Sequence, residues 1–268
     1  MQTDIQPTMN DDAVMDFIAN GYVILENVIS EPFNQECNDL TGGGVNEFVQ
    51  QDSFRRQVLL NPQVAGVARS LLGENFLVPI SAHHHLFERT HTGQTWHSDG
   101  LSEYGYGVNH LQCYYYPQKV EIEDGPTMVL PGSHHRLIDR EAIAHYGDIL
   151  GQVSLTIPAG TVVLTHYGIW HKAGPKLNNK RRGMIKFSYF RNTRPRRDWN
   201  ESDTEKTPPY RARGRHPYVT EVESYRNSRR RQLTWNWLCG IETPEDVSHG
   251  AKIFIRAKPL NEIKEQKA

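Results

Sequence analysis

Cysteine is scarce in this chain. The three that occur, Cys37, Cys113 and Cys239, are far apart and form no CxxC pair. This excludes a disulfide framework and a structural zinc knuckle, and it fits a reducing compartment. Long apolar runs are lacking too. No stretch approaches the roughly 18 apolar residues of a membrane span, and the N-terminus, MQTDIQPTMNDD, has neither a basic n-region nor an apolar h-region. The expected location is the cytoplasm, with no membrane partner. Nor is there an excess of charge of one sign: 30 Lys+Arg stand against 31 Asp+Glu, a net charge of -1, which gives no reason to expect nucleic acid. Internal repeats and low-complexity segments are absent.

What remains is an ordinary globular composition, 37% hydrophobic and 10% aromatic over 268 residues, enough for one domain with a full core. The unusual count is histidine, thirteen in all, with an internal run at Ala82-His83-His84-His85. Residues 1–75 read as mostly helical. Asn10-Asp11-Asp12 caps a helix that Gly21 stops, and Tyr22-Val23-Ile24-Leu25 reads as a strand. Ser30-Glu31-Pro32 starts a second helix running toward Thr41-Gly42-Gly43-Gly44, and Asn61-Pro62 a third, closed by Gly73. From 76 to 192 short alternating runs take over: Phe76 to Ile80, His83 to Arg89, Val108 to Tyr116, Thr127 to Leu130, Gln152 to Ile157, Thr161 to Thr165 and Met184 to Phe190. With turns at Asp124-Gly125-Pro126, Pro131-Gly132-Ser133 and Pro158-Ala159-Gly160, this pattern predicts a jelly-roll-like double sheet. Residues 193–268 form a basic extension, including Arg229-Arg230-Arg231. It is expected as a solvated charged segment, with Trp235-Asn236-Trp237-Leu238 packing it back on the core. The fold class is mainly β with helical additions, in a single domain.

The chemistry centres on Trp96-His97-Ser98-Asp99-Gly100. In an extended strand residues i and i+2 point the same way, so His97 and Asp99 can present an imidazole and a carboxylate to one point. Alone such a pair is most often a surface coincidence. It gains weight from Ile169-Trp170-His171-Lys172-Ala173-Gly174-Pro175, with Arg182 eleven residues past His171 at the entry to a strand. Two histidines and one carboxylate suit a facial Fe(II) site with open positions, and an arginine can clamp a carboxylate bidentately.

Four blocks in order, residues 21–30, Gln94 to Gly100, Asp124-Gly125-Pro126 through His134, and His171 to Arg182, resemble the phytanoyl-CoA dioxygenase family of Fe(II)- and 2-oxoglutarate-dependent oxygenases. The resemblance covers about residues 20–192. It implies a double-stranded β-helix (cupin-like) core, iron held by His97, Asp99 and His171, and the distal carboxylate of 2-oxoglutarate paired to Arg182. It also implies O2 as co-reactant and oxidation of an unactivated C–H bond, hydroxylation by default, with succinate and CO2 released. The same chemistry can give desaturation, epoxidation or cyclisation. One departure is Ala173, where many relatives carry a hydrogen-bonding residue. Asp99 disfavours halogenation, because related halogenases have a small residue in that place.

Other residues compete for roles. His166 lies five before His171, but position 177 is Leu, so no arginine stands at the matching distance. His83, His85 and Trp96 are candidate substrate contacts, while His134 and His135 are expected at the surface. One face of Tyr114-Tyr115-Tyr116 is expected in the core. The expected substrate is a small or mid-sized metabolite, polar or anionic given the arginines of 194–231 and the histidines near 83–85. Two other classes remain open: a catalytically silent metal-binding barrel, and a zinc hydrolase. The former would usually lose a ligand or the arginine; the latter needs a separate base and has no use for Arg182.

Overall fold

Local signals set the helical wall. In α1 (Asp11–Asn20) the Asn10 side chain accepts a hydrogen bond from the Ala13 N–H (2.9 Å), and Gly21 ends the helix in the left-handed conformation, φ 84°. The structure is a computed structural model that describes residues 5–40, 44–100, 106–136, 140–200 and 221–241. After β1 (Tyr22–Leu25) come α2 (Glu31–Asn38), α3 (Val45–Val49), α4 (Asp52–Phe54) running into a π-helical turn (Arg55–Leu59), and α5 (Pro62–Leu72). Asn61 caps α5 through the Gln63 and Val64 N–H groups, with Pro62 at its first turn. The chain then alternates β2 (His83–Phe87), β3 (His110–Tyr116), β4 (Thr127–Leu130), a 3-10 turn (Ser133–His135), α6 (Arg140–Ile143), β5 (Val153–Ser154), β6 (Thr161–His166), β7 (Trp170–Ala173) and β8 (Arg182–Phe190), followed by α7 (Glu221–Leu238). No described helix is long and apolar enough to cross a membrane.

The strands form two antiparallel sheets, one ordered β1-β6-β3-β8-β2 and the other β5-β4-β7. The expected jelly-roll is present. Period-two alternation divides β3 between two interiors. Leu111, Cys113 and Tyr115 face the helices, joining Phe17, Phe33, Phe54 and Leu71 in the larger apolar cluster. Tyr114 and Tyr116 face the other sheet and pack with Val129, Val163 and Met184. Phe54 is fully buried among Phe33, Phe48, Tyr115 and Phe187; truncation to alanine there costs about 3–5 kcal/mol.

Some expectations shift. Phe76 to Ile80 is not a strand, because only Leu77 pairs, with Phe190. The run from Gln152 shortens to Val153–Ser154. The start of the basic extension is not simply solvated: Arg197 ion-pairs with Asp11 (2.6 Å), Trp199 donates to the same carboxylate (2.7 Å), and Trp199 packs on Trp235 at 5.6 Å between ring centroids. A buried aromatic pair over a half-buried ion pair thus ties this segment to α1. Lys206, Arg211, Arg213 and Arg215 lie outside the described residues.

Candidate metal centre

The edge of β7 builds the site. His97 pairs with His171 across two reciprocal main-chain hydrogen bonds, His97 N–H to His171 O (3.0 Å) and His171 N–H to His97 O (2.9 Å), which adds the 97 segment to the three-stranded sheet. Cross-strand partners point the same way, so both imidazoles enter the space between the sheets, and Asp99 follows on the same face as His97. The ligand atoms of His97, Asp99 and His171 lie within 4.8 Å of one another. Each ring is aimed by its own backbone: Nδ1 of His97 donates to Thr95 O (2.9 Å) and Nδ1 of His171 to Ile169 O (3.2 Å). A carbonyl can only accept, so in the neutral ring the lone pair sits on Nε2.

Asp99 is held by donors. Gln112 Nε2 (2.5 Å) and Lys186 Nζ (2.8 Å) both donate to Oδ2, and Tyr114 fixes Gln112 in turn (2.5 Å). Burial opposes ionisation of Asp99, but the contacts from His171, Lys186 and Gln112 outweigh it and hold the carboxyl well below its ordinary range. Burial and the charge of His171 together lower His97, which favours a neutral ligand. Two imidazole nitrogens and a carboxylate suit a divalent transition metal.

Arg182 stands at the other end of the cavity. It is 1% exposed, its guanidinium lies between the Phe87 and Tyr116 rings (5.6 and 5.5 Å), and Nη2 donates to Thr127 Oγ1 (3.0 Å). Its Nε has no hydrogen-bond partner, and among the described residues it makes no ion pair. Tyr116 and Thr127 hydrogen-bond to each other (2.8 Å), which uses one of their two hydroxyl protons and leaves the other to donate. A buried unpaired cation beside a spare hydroxyl donor is a receptor for an anion.

The remaining candidates separate. His85 lines the cavity, and burial, with Lys186 and Arg182 nearby, lowers it to about 4, so it is neutral near pH 7. His83 is exposed and does not line the cavity. Trp96 does not line it either. Alternation turns the indole away from the face of His97, into a cluster with Met128, Leu130, Ile143 and Trp170, where Nε1 donates to Gly147 O (2.6 Å). The expectation that His134 and His135 lie at the surface is overturned: both Nε2 atoms donate to Ile18 O at the end of α1 (3.1 and 2.7 Å), and His166 packs on His134 at 4.8 Å. Gly21 makes room for them, since a Cβ there would sit 2.4 Å from His134 Nδ1. Beside Ala173, Gln94 accepts from the Ala173 N–H (3.2 Å) and lines the cavity. Gln94, Gln112, Thr127 and Lys186 are site residues that motif reading missed. Alternation along β3 and β8 could have pointed to Gln112 and Lys186.

The family model for phytanoyl-CoA dioxygenase matches residues 36–184, more than half of the chain. The chain belongs to the phytanoyl-CoA dioxygenase family. This family depends on iron(II) and 2-oxoglutarate, and the residues just described fit both. Among curated proteins, dioxygenase af480 of Aspergillus fumigatus is 26% identical over 158 residues, 56% of this chain and 49% of that protein. The chain thus matches about half the length of that relative. Among solved structures, the non-haem α-ketoglutarate-dependent carbocyclase SnoK of nogalamycin biosynthesis superposes with a TM-score of 0.54 at 20% identity, covering 69% of this chain and 87% of that one. EctD from S. alaskensis with bound Fe gives 0.55 at 21%, covering 71% and 79%. Both solved structures therefore share this fold.

Proposed function

We propose that this protein is an Fe(II)- and 2-oxoglutarate-dependent oxygenase that oxidises a C–H bond of a small or mid-sized metabolite, with hydroxylation as the default outcome. The reading rests on one observation above the others: both histidines of a two-histidine, one-aspartate set line the same cavity as a buried arginine that has no ion-pair partner among the described residues. A hydrolase of the same metal set has no use for that arginine. When bound, iron(II) would let O2 act as the oxidant, with 2-oxoglutarate giving up two electrons as it leaves as succinate and CO2 and the substrate C–H bond giving up the other two.

The protein's own residues position and exclude. His97, Asp99 and His171 would hold the metal, and Gln112 and Tyr114 keep the Asp99 carboxylate oriented. Arg182, with the spare hydroxyl proton of Tyr116 and Thr127, takes the distal carboxylate of 2-oxoglutarate, and this donor offsets the missing side chain at Ala173. Phe87, Met184 and Tyr114 give the cavity apolar walls that limit water around the reacting centre. His85 faces the same space and is the substrate contact favoured over His83 and Trp96. SnoK and EctD support small-molecule chemistry on this scaffold, while reaction outcome follows from how the substrate is held.

The test is anaerobic addition of Fe(II) and 2-oxoglutarate. A visible charge-transfer band is expected; tight zinc retention without such a band would overturn the proposal. A metabolite panel scored by stimulated succinate release then identifies the substrate.

A further inference from the structure

On β8, Arg182, Met184 and Lys186 share one face and all line the cavity, so a single strand presents a cation, an apolar residue and a second cation in a row. Lys172 also reaches this space, but its ammonium is engaged by Gly147 O and Asp148 Oδ1, both at 3.1 Å. Lys186 is different. Its largely buried ammonium rests on Asp99 Oδ2 at 2.8 Å, on the very carboxylate that the metal requires. No acidic side chain lines the cavity among the described residues.

Metal binding therefore creates a charge conflict. A metal about 2.1 Å from the Asp99 carboxylate would lie within roughly 5 to 7 Å of an ammonium still 2.8 Å from Oδ2. At that distance the repulsion between a dication and a monocation is several times thermal energy even with an effective dielectric constant of about 20. The single Asp99 carboxylate offsets part of this and cannot neutralise both cations, so an anion brought to Lys186 relieves the conflict. A dicarboxylate with a carbon chain between its ends is such an anion, and β8 places one cation on each side of Met184, all three lining the cavity.

Building on the oxygenase reading, we infer that Lys186 is a positioning residue that takes the metal-side carboxylate of 2-oxoglutarate once the metal occupies Asp99. Arg182 and Lys186 then hold the two ends of the cosubstrate from one strand. Lys186 opposes the metal while the cosubstrate is absent and supports the pair when it is present, so metal and cosubstrate bind with positive coupling.

The test measures two affinities anaerobically in wild type, Lys186→Met, Lys186→Gln and Lys186→Arg: Fe(II) by chelator competition without 2-oxoglutarate, and 2-oxoglutarate by titration of the charge-transfer band. The two neutral variants should bind Fe(II) about tenfold more tightly and 2-oxoglutarate about tenfold more weakly, with Lys186→Arg close to wild type in both. Opposite signs are the signature, since damage to the packing would weaken both. If both affinities fall together, if neither moves, or if Fe(II) tightens while 2-oxoglutarate is unaffected, the Lys186 inference is overturned. A wild type that forms no charge-transfer complex refutes the oxygenase reading itself, whatever the variants do. Circular dichroism identifies a misfolded variant, and having two neutral substitutions keeps the comparison available.

Discussion

Two groups of histidines lie on either side of the β6–β7 turn, and they differ in which nitrogen the backbone occupies. In His97 and His171 the Nδ1 atom donates to a carbonyl two residues upstream, and Nε2 is left for the cavity. In His134 and His135 it is Nε2 that the Ile18 carbonyl takes, so those rings hold α1 against the 3-10 turn. The same side chain serves as a ligand in one place and as a buried hydrogen-bonding strut in the other. Histidine count says nothing about the difference; the direction of the backbone does.

The comparison breaks most severely on the ligand side. His97→Ala, Asp99→Ala or His171→Ala should reduce 2-oxoglutarate turnover to background with the far-UV spectrum unchanged, whereas soluble His166→Ala should keep its activity. The opposite result for His171 and His166 would reverse the assignment. At the far end of the cavity, Arg182→Ala should weaken 2-oxoglutarate binding by about a hundredfold, the loss of a charge-assisted contact with a buried carboxylate. Titration of the charge-transfer band measures it, and unchanged affinity would remove the clamp.

The strut side is sharpened by pH. Burial lowers His135 to about 3 and His166 to about 4, both from an ordinary value of 6.5. The fold therefore holds these rings neutral while the unfolded chain protonates them. Stability should be at its full value above about pH 6.5 and fall progressively as pH drops toward 3–4, read from denaturant midpoints. A flat profile across that window would show that the struts are not protected. His135→Ala should cost about 1–3 kcal/mol through the lost packing of a buried ring and the lost hydrogen bond to Ile18 O, which keeps only its His134 contact, while Fe(II) affinity stays within a few-fold of wild type. The smallest effect belongs to Ala173→Ser. An added hydroxyl beside Gln94 should tighten 2-oxoglutarate by a few-fold at most, since Tyr116 and Thr127 already supply a donor.

Motif order made the jelly-roll and the ligand candidates legible, because His-x-Asp, the distal histidine block and Arg182 are local patterns with fixed spacing. The same local rule should have excluded Trp96, since alternation that turns His97 inward turns its neighbour outward. His134 and His135 were not readable, because the acceptor that buries them, Ile18, lies more than a hundred residues away in sequence. Lys186 was hidden for a related reason: a lysine four positions past an arginine on a strand looks solvated until the opposite sheet closes over it. The pairing of Arg197 and Trp199 with Asp11 is equally long-range, and charge composition alone favoured a solvated tail.

The reciprocal hydrogen bonds between His97 and His171 have a mechanical consequence. Residues so far apart in the chain are already clipped together by the backbone before any ion arrives, so a bound metal acts as a reversible staple across two paired strands rather than as the agent that gathers them. Little chain entropy is left to lose when it binds. Removing a bound metal should therefore loosen this seam without melting the barrel.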